Sequence, residues 1–246
     1  MNNSQTRRDW LRNAAVLTAA GSFAGSADAA DSKVTWDDSI ERGLRWLSRT
    51  QSARGKWNTD SYPTALAALA ATALIASGST TTQGPYAKQI ARATDYLISK
   101  SRDNGLIGDP QTDSRYTYGH GFAMLLMSQV LGEEGLIDRR EELVDVLTRA
   151  VQFSGNAQTE AGGWGYVSAA AGNNFDEGST TITQVQGLRG CRNAGIPVSG
   201  KVIDNAALVF EVQKYTEGER KLIKTPLPAM LQTVPPLQAL PGHKSA

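Results

Sequence analysis

The sequence predicts an all-α chain assembled from repeated helix pairs, and two matching spacings carry that prediction. Aromatic residues that close a helical pattern fall at Trp46, Tyr96 and Phe153, at intervals of 50 and 57. The turn residues Trp57, Ile107 and Trp164 repeat the same two intervals. An interval shared by two separate points of a unit marks a duplicated supersecondary structure. A third observation agrees: no stretch alternates apolar and polar residues for long enough to form a strand.

The elements follow in order. Asp37-Asp38-Ser39 supplies caps for a first helix with Ile40, Leu44 and Leu47 on one face. Gly55 interrupts it, and Pro63 opens a second helix in which Leu66, Leu69, Ala70, Ala73 and Leu74 recur up to Gly78. The alanines there permit close helix approach. Gly84-Pro85 breaks the chain before a third helix marked by Ile90, Ala93 and Leu97. The segment Phe122 to Leu131 is apolar enough to be buried on most sides. The charged run from Glu133 to Glu142 reads as a solvated loop and helix start. Leu143, Val146, Leu147, Ala150 and Val151 then form an amphipathic face. Ile182, Val185 and Leu188 belong to a sixth helix closed by Gly195 and Pro197. A seventh begins near Lys201 with Val202, Ile203, Ala206 and Phe210. After about Gln213 the pattern stops. Pro226, Pro228, Pro235, Pro236 and Pro241 crowd the end of the chain, so residues 213–246 are expected to be an irregular, proline-rich tail.

Composition narrows the function. The 246 residues allow one domain or two small ones with a substantial core. A net charge of +1, from 25 basic and 24 acidic side chains mixed along the chain, speaks against a nucleic-acid partner. Thr6-Arg7-Arg8-Asp9-Trp10-Leu11-Arg12 precedes a mildly apolar stretch, Ala14 to Ala24, and the small residues Ala27-Asp28-Ala29. Paired arginines, apolar run and small-residue exit in that order have the form of a twin-arginine export signal over residues 1–30. It would place the mature protein in the periplasm or cell envelope. A basic amphipathic helix opening the domain is the alternative. The apolar stretch is too short to span a bilayer and no other segment approaches that length, so no membrane span is expected in the mature chain. Cys191 is the single cysteine and sits in an apolar helical pattern, as a buried small residue does.

The units Gln51…Gly55-Lys56-Trp57 and Gln158…Gly162-Gly163-Trp164-Gly165 resemble the glutamine–tryptophan repeats of the squalene–hopene cyclase and protein prenyltransferase superfamily. The resemblance covers roughly residues 36 to 212. More narrowly, the chain is similar to the exported bacterial proteins described as prenyltransferase and squalene oxidase repeat proteins. The resemblance implies an α/α toroid over residues 31–212, here an incomplete α/α barrel, with inner and outer helices alternating. It implies that Trp57 and Trp164 staple neighbouring outer helices, and that inner helices line a cavity for an isoprenoid-like apolar substrate. The starts of the inner helices then carry the candidate site: Tyr62 and Thr64, then Tyr116, Tyr118 and His120, then Asp176, Glu177 and Thr181. Tyr116, Tyr118, Tyr166, Trp164 and Phe175 offer π-faces to an isoprenoid, or fill core.

The chemistry of the superfamily does not transfer intact. Members that protonate an alkene use an Asp-x-Asp-Asp-Thr-Ala motif, and Phe175 to Ile182 places Ser179 or Thr180 where the acid belongs. Asp176 and Glu177 are the substitute catalytic acids if buried as a like-charged pair with raised pKa. An exposed loop and helix cap is the other reading. Members that use zinc hold it with an aspartate, a cysteine and a histidine. Cys191, His120 and His243 lack any ligand spacing, so neither metal nor cofactor is expected. His120, in Tyr118-Gly119-His120-Gly121, reads either as a catalytic imidazole or as a buried, hydrogen-bonded one. Nucleophile-elbow, P-loop, dinucleotide and H-E-x-x-H motifs are absent. Two functions remain: an enzyme or former enzyme acting on an isoprenoid-like apolar substrate, and a non-catalytic scaffold binding a protein or lipid in the cell envelope. Self-association that completes the ring is an expected partner interaction in either case.

Overall fold

Seven α-helices and one 3₁₀ turn make up the part of the chain that the computed structural model describes, residues 35–172 and 174–213. The helices are α1 (Trp36–Thr50), α2 (Pro63–Ala76), α3 (Ala87–Ile98), α4 (Tyr116–Glu133), α5 (Ile137–Ala157), α6 (Gly178–Asn193) and α7 (Gly200–Gln213), with the 3₁₀ turn at Ala169–Ala171. Among the described residues there is no strand, only an isolated bridge between Ser101 and Ile107. The all-α class is as the sequence predicts. The expected export signal over residues 1–30, the tail beyond Gln213 and His243 lie outside the described residues.

Helices α2, α4 and α6 form a row. Helix α4 packs against α2 on one side and α6 on the other, α3 and α5 sit over the two seams, and α1 and α7 lie at the ends. The row helices are apolar on most sides because they have neighbours on most sides. Ala67, Ala68, Ala71 and Leu74 of α2 and Ala123, Met124, Leu126 and Met127 of α4 are fully buried. Helices α3 and α5 bury one stripe each, Ile90, Ala93 and Leu97 in the first and Leu143, Leu147 and Ala150 in the second.

Glycine sets the spacing of the row. A Cβ on Gly121 would come within 2.6 Å of the Thr183 backbone, and one on Gly187 within 2.6 Å of the Gly121 carbonyl oxygen. Helices α4 and α6 therefore touch backbone to backbone, closer than any larger side chain allows. Two polar links cross the same seam: Gln184 Nε2 donates to the Thr117 carbonyl at 2.5 Å, and Thr183 Oγ1 to the Tyr118 carbonyl at 3.4 Å.

The turns that leave α1 and α5 are built alike. Gln51 Nε2 donates to Gly55 O within its turn and to Gln89 O in α3, at 3.0 and 2.8 Å. Gln158 Nε2 donates to Gly162 O and to Val202 O in α7, at 2.8 and 3.0 Å. Trp57 Nε1 reaches back ten residues to Leu47 O at 2.9 Å, and Trp164 Nε1 reaches back ten to Ser154 O at 2.8 Å. Both indoles are buried. Glutamine thus joins the turn to the helix after next and tryptophan locks it to the previous one. The turn after α3 lacks both residues, yet Gly105 sits there as Gly55 and Gly162 do in theirs. All three have positive φ, and a Cβ on any of them would overlap a helix carbonyl, of Arg92, Arg149 and Asn205 respectively. At the middle turn the link comes from the helix side, Arg149 of α5 donating to the Arg102 carbonyl at 2.8 Å.

Three local expectations change. The cap of α1 is Thr35, whose hydroxyl accepts from Asp38 N–H while the Asp38 carboxylate accepts from Thr35 N–H. Glu134 is buried rather than solvated, because its carboxylate accepts from Leu136 N–H at 3.0 Å and shapes the α4–α5 connection. Trp46 is 61% exposed, whereas Tyr96 and Phe153 are buried. Helices α3 and α5 are each covered by the turn of the preceding unit, where Gly55 packs on the Arg92 carbonyl and Gly105 on that of Arg149.

Candidate functional site

One strip of the α2–α4–α6 row is left uncovered, and it is apolar. It carries Leu66 and Leu69 on α2, Tyr118, Phe122 and Leu125 on α4, and Ile182 on α6. Successive members on each helix are three or four residues apart, which places them on one face. Leu69 and Ile182 are 44% and 47% exposed, large values for side chains of the helices that build the core.

Aromatic rings gather at the end of this strip where α2 and α4 begin. The Tyr62 and Tyr118 ring centroids are 6.3 Å apart, and Phe122 meets Tyr118 edge-on at 5.2 Å. Arg115, the residue before α4, lays its guanidinium 4.1 Å from the Tyr166 ring and 5.9 Å from that of Tyr62. A cation over a ring face is held by the ring quadrupole. Tyr62 itself adopts φ 56°, ψ 46°, the one described non-glycine residue with positive φ. Such a conformation costs roughly 1–2 kcal/mol and persists only where the surroundings hold it. Tyr62, Tyr118 and Tyr166 thus come together, with Arg115 as a member that sequence reading passed over. A single arginine in a polar loop gives no signal of the rings on either side of it.

The other sequence-derived candidates lie elsewhere. His120 is fully buried and points away from the strip, toward α5. Its Nδ1 accepts from Ile107 N–H at 3.0 Å and its Nε2 lies 3.2 Å from the Ala150 carbonyl, which requires the neutral Nε2–H tautomer. Burial, opposed in part by the bond to Ala150, lowers its pKa to about 4. The imidazole ties the middle turn to two helices and has no nitrogen left for a substrate. Tyr116 is buried against Phe153, with its hydroxyl accepting from Ser168 N–H at 2.9 Å. Thr181 accepts from Trp164 N–H at 3.0 Å, and Thr64 is buried under Gly119. These residues are corrected from lining to packing. They begin row helices as expected, but three of a helix's four sides face protein.

Asp176 and Glu177 correct the expected acid in a second way. Asp176 accepts a hydrogen bond from Thr159 Oγ1. Glu177 caps α6, accepting from Ser179 Oγ at 2.5 Å and Thr180 N–H at 2.7 Å. Partial burial pushes its carboxyl upward, but the bonds from Ser179 and Thr180 outweigh that and hold it below the ordinary glutamate value. An ionised cap is the reverse of a proton-donating acid.

The described carboxyl with a raised pKa is Asp113, which the sequence gave no reason to single out. It is 3% exposed; one oxygen accepts from Arg115 N–H at 2.9 Å and the other has no partner. Burial raises its pKa, against the lowering effect of that bond. Tyr96, whose own pKa is raised by burial and then by Asp109 and Asp113, lines a separate polar cleft of about 660 Å³ with Arg54, Lys56, Asp60 and Lys100. Cys191 is buried, and desolvation lifts its thiol to about 12, so it is unreactive at neutral pH. Among the described residues no group of three His, Cys, Asp or Glu side chains could hold a metal, and no helix is long and apolar enough to cross a membrane.

Comparison with known proteins adds no relative: no family model, curated protein or solved structure matches the chain.

Proposed function

We propose that the chain binds an elongated apolar molecule, of isoprenoid type, along the uncovered strip of the helix row, with its end at the Tyr62–Tyr118–Arg115–Tyr166 cluster. The observation that carries this reading is the Tyr62–Tyr118–Phe122 run of ring contacts, together with the exposure of Leu69 and Ile182 on the two flanking helices. Aliphatic side chains give a non-directional surface for a hydrocarbon, and ring faces suit an electron-poor or unsaturated end. The glutamine–tryptophan turns support a place within the superfamily that the sequence resembles, as an incomplete α/α toroid, and the sequence pattern of residues 1–30 supports export to the periplasm or envelope. Binding without turnover is favoured over catalysis, because His120 and Glu177 are committed to backbone bonds. If a proton donor exists, Asp113 is a better candidate than Asp176 or Glu177.

Native mass spectrometry of protein from its own host tests the proposal, followed by titration with a polyprenyl alcohol read by tyrosine and tryptophan fluorescence. The double variant Leu69→Asp, Ile182→Asp should weaken binding by roughly ten-fold or more, since each lost apolar contact is worth about 1.5–3 kcal/mol at full burial. Both side chains are exposed, so melting should hardly change. Undiminished binding in that variant removes the strip as the site. A protein that carries no ligand and binds none, but co-purifies with another protein, favours the scaffold reading instead.

A further inference from the structure

Two connections of the array hold three cations around one cleft. The cleft, about 660 Å³, lies between the turn that leaves α1 and the end of α3. Arg54 and Lys56 line it from the turn, and Lys100 from just beyond α3. Asp60 is the one acid in its lining. Among the described residues, none of these three cations is ion-paired with a carboxylate, whereas Arg45, Arg102, Arg139 and Arg149 all are. The acids nearest by are held by other groups: Asp109 pairs with Arg102 at 3.5 Å, and Asp113 accepts from Arg115 N–H at 2.9 Å.

The backbone that carries the three cations is fixed. Gly55, between Arg54 and Lys56, packs so tightly on α3 that a Cβ would lie 2.0 Å from the Arg92 carbonyl oxygen. The Lys56 carbonyl accepts from Ser52 N–H at 2.9 Å and from Ser52 Oγ at 2.6 Å, and the next residue is the buried, anchored Trp57. Lys100 N–H donates to the Leu97 carbonyl, and the Lys100 carbonyl accepts from Gly108 N–H, each at 3.0 Å. Its Nζ stands 5.8 Å from the centre of the buried Tyr96 ring. Like charges gathered on a rigid frame repel one another, and a bound anion removes that cost without the frame having to reorganise.

We propose that this cleft is a binding site for a small multivalent oxyanion, whose phosphate or carboxylate groups bridge the Arg54–Lys56 turn and Lys100. Its volume is that of an ordinary small-molecule pocket, and charge-assisted bonds from ammonium and guanidinium groups are the strong ones for such a guest. The cleft is separate from the uncovered strip, and the inference does not rest on what the strip binds.

Calorimetric titration of the full chain with pyrophosphate, citrate and inorganic phosphate, at low ionic strength, tests it. The wild type should bind pyrophosphate or citrate roughly ten-fold or more tighter than inorganic phosphate, less tightly as salt rises, and melt at a higher temperature when either is bound. A preference for pyrophosphate assigns the site to phosphate chemistry, and one for citrate to carboxylates. The variant Lys56→Gln, Lys100→Gln should lose roughly ten-fold or more in affinity, together with the ligand-induced rise in melting. Its ligand-free melting should stay near wild type, because no described carboxylate loses a partner. The control Arg192→Gln, Lys201→Gln removes the same charge on α6 and α7 and should bind as the wild type does. A wild type that binds neither multivalent anion overturns the proposal. So does inorganic phosphate binding as tightly, or a control that weakens as much as the cleft variant, which would reduce the effect to net charge.

Discussion

His120 is neutral because a charged imidazole inside the core would lose its acceptor role toward Ile107 N–H and be poorly solvated. Its folded pKa, about 4, lies below the ordinary value of 6.5. The unfolded chain therefore takes up the proton first. Stability from this group is complete above about pH 6.5 and is lost as pH falls toward 4, reaching a deficit of about 3 kcal/mol. Urea unfolding at pH 7 and pH 4.5 should show that loss, and His120→Gln should be less stable at pH 7 yet flatter across the interval. Glu177 has the same sign at lower pH: its lowered pKa adds stability above the ordinary glutamate value that fades on acidification. Glu177→Gln should cost about 1 kcal/mol of α6 capping. Glycines test the close approaches. Gly105→Ala meets the Arg149 carbonyl and should destabilise by several kcal/mol, an overpacking against backbone that cannot move aside. Gly43→Ala, inside α1 with nothing within 4 Å, should stabilise by about 0.5–1 kcal/mol. Thermal melts of the pair separate the two cases.

The turns decide how one helix is joined to the next. Trp57→Ala and Trp164→Ala should each cost about 3–5 kcal/mol, from lost burial and a lost indole bond. Melting unchanged in either variant would refute the staple role. These turns were readable before any coordinates because their residues are rare, paired and regularly spaced. The helix boundaries of α2 and α6 were readable too, through Pro63 and Gly195. What escaped reading was side-chain direction. Tyr116, Tyr118 and His120 occupy one helix within five residues, yet only Tyr118 faces the uncovered strip. Periodicity says that they diverge; it does not say which neighbour each one meets, since α4 is apolar on nearly every side. Asp113 and Arg115 escaped for a different reason. Their loop has the composition of a solvated turn, and the rings that Arg115 meets, Tyr62 and Tyr166, are far from it in sequence.

Across the molecule, cohesion passes from neighbour to neighbour, as in other arrays of stacked units. The middle is the firmest part, because α4 has helices on three sides. The first helix is the weakest: α1 touches α2 lightly and has no buried residue. Amide exchange should accordingly be fastest in α1 and slowest in α4, with α1 opening at a free energy well below that of global unfolding. Equal protection in both would contradict this gradient. The glycine seam between α4 and α6 has an evolutionary consequence. Positions 121 and 187 admit no side chain, so mutation there meets the fold itself. Leu69 and Ile182, on the same row of helices, are exposed and far less constrained. Drift at Leu69 or Ile182 would therefore change the surface of the row while leaving the scaffold unchanged.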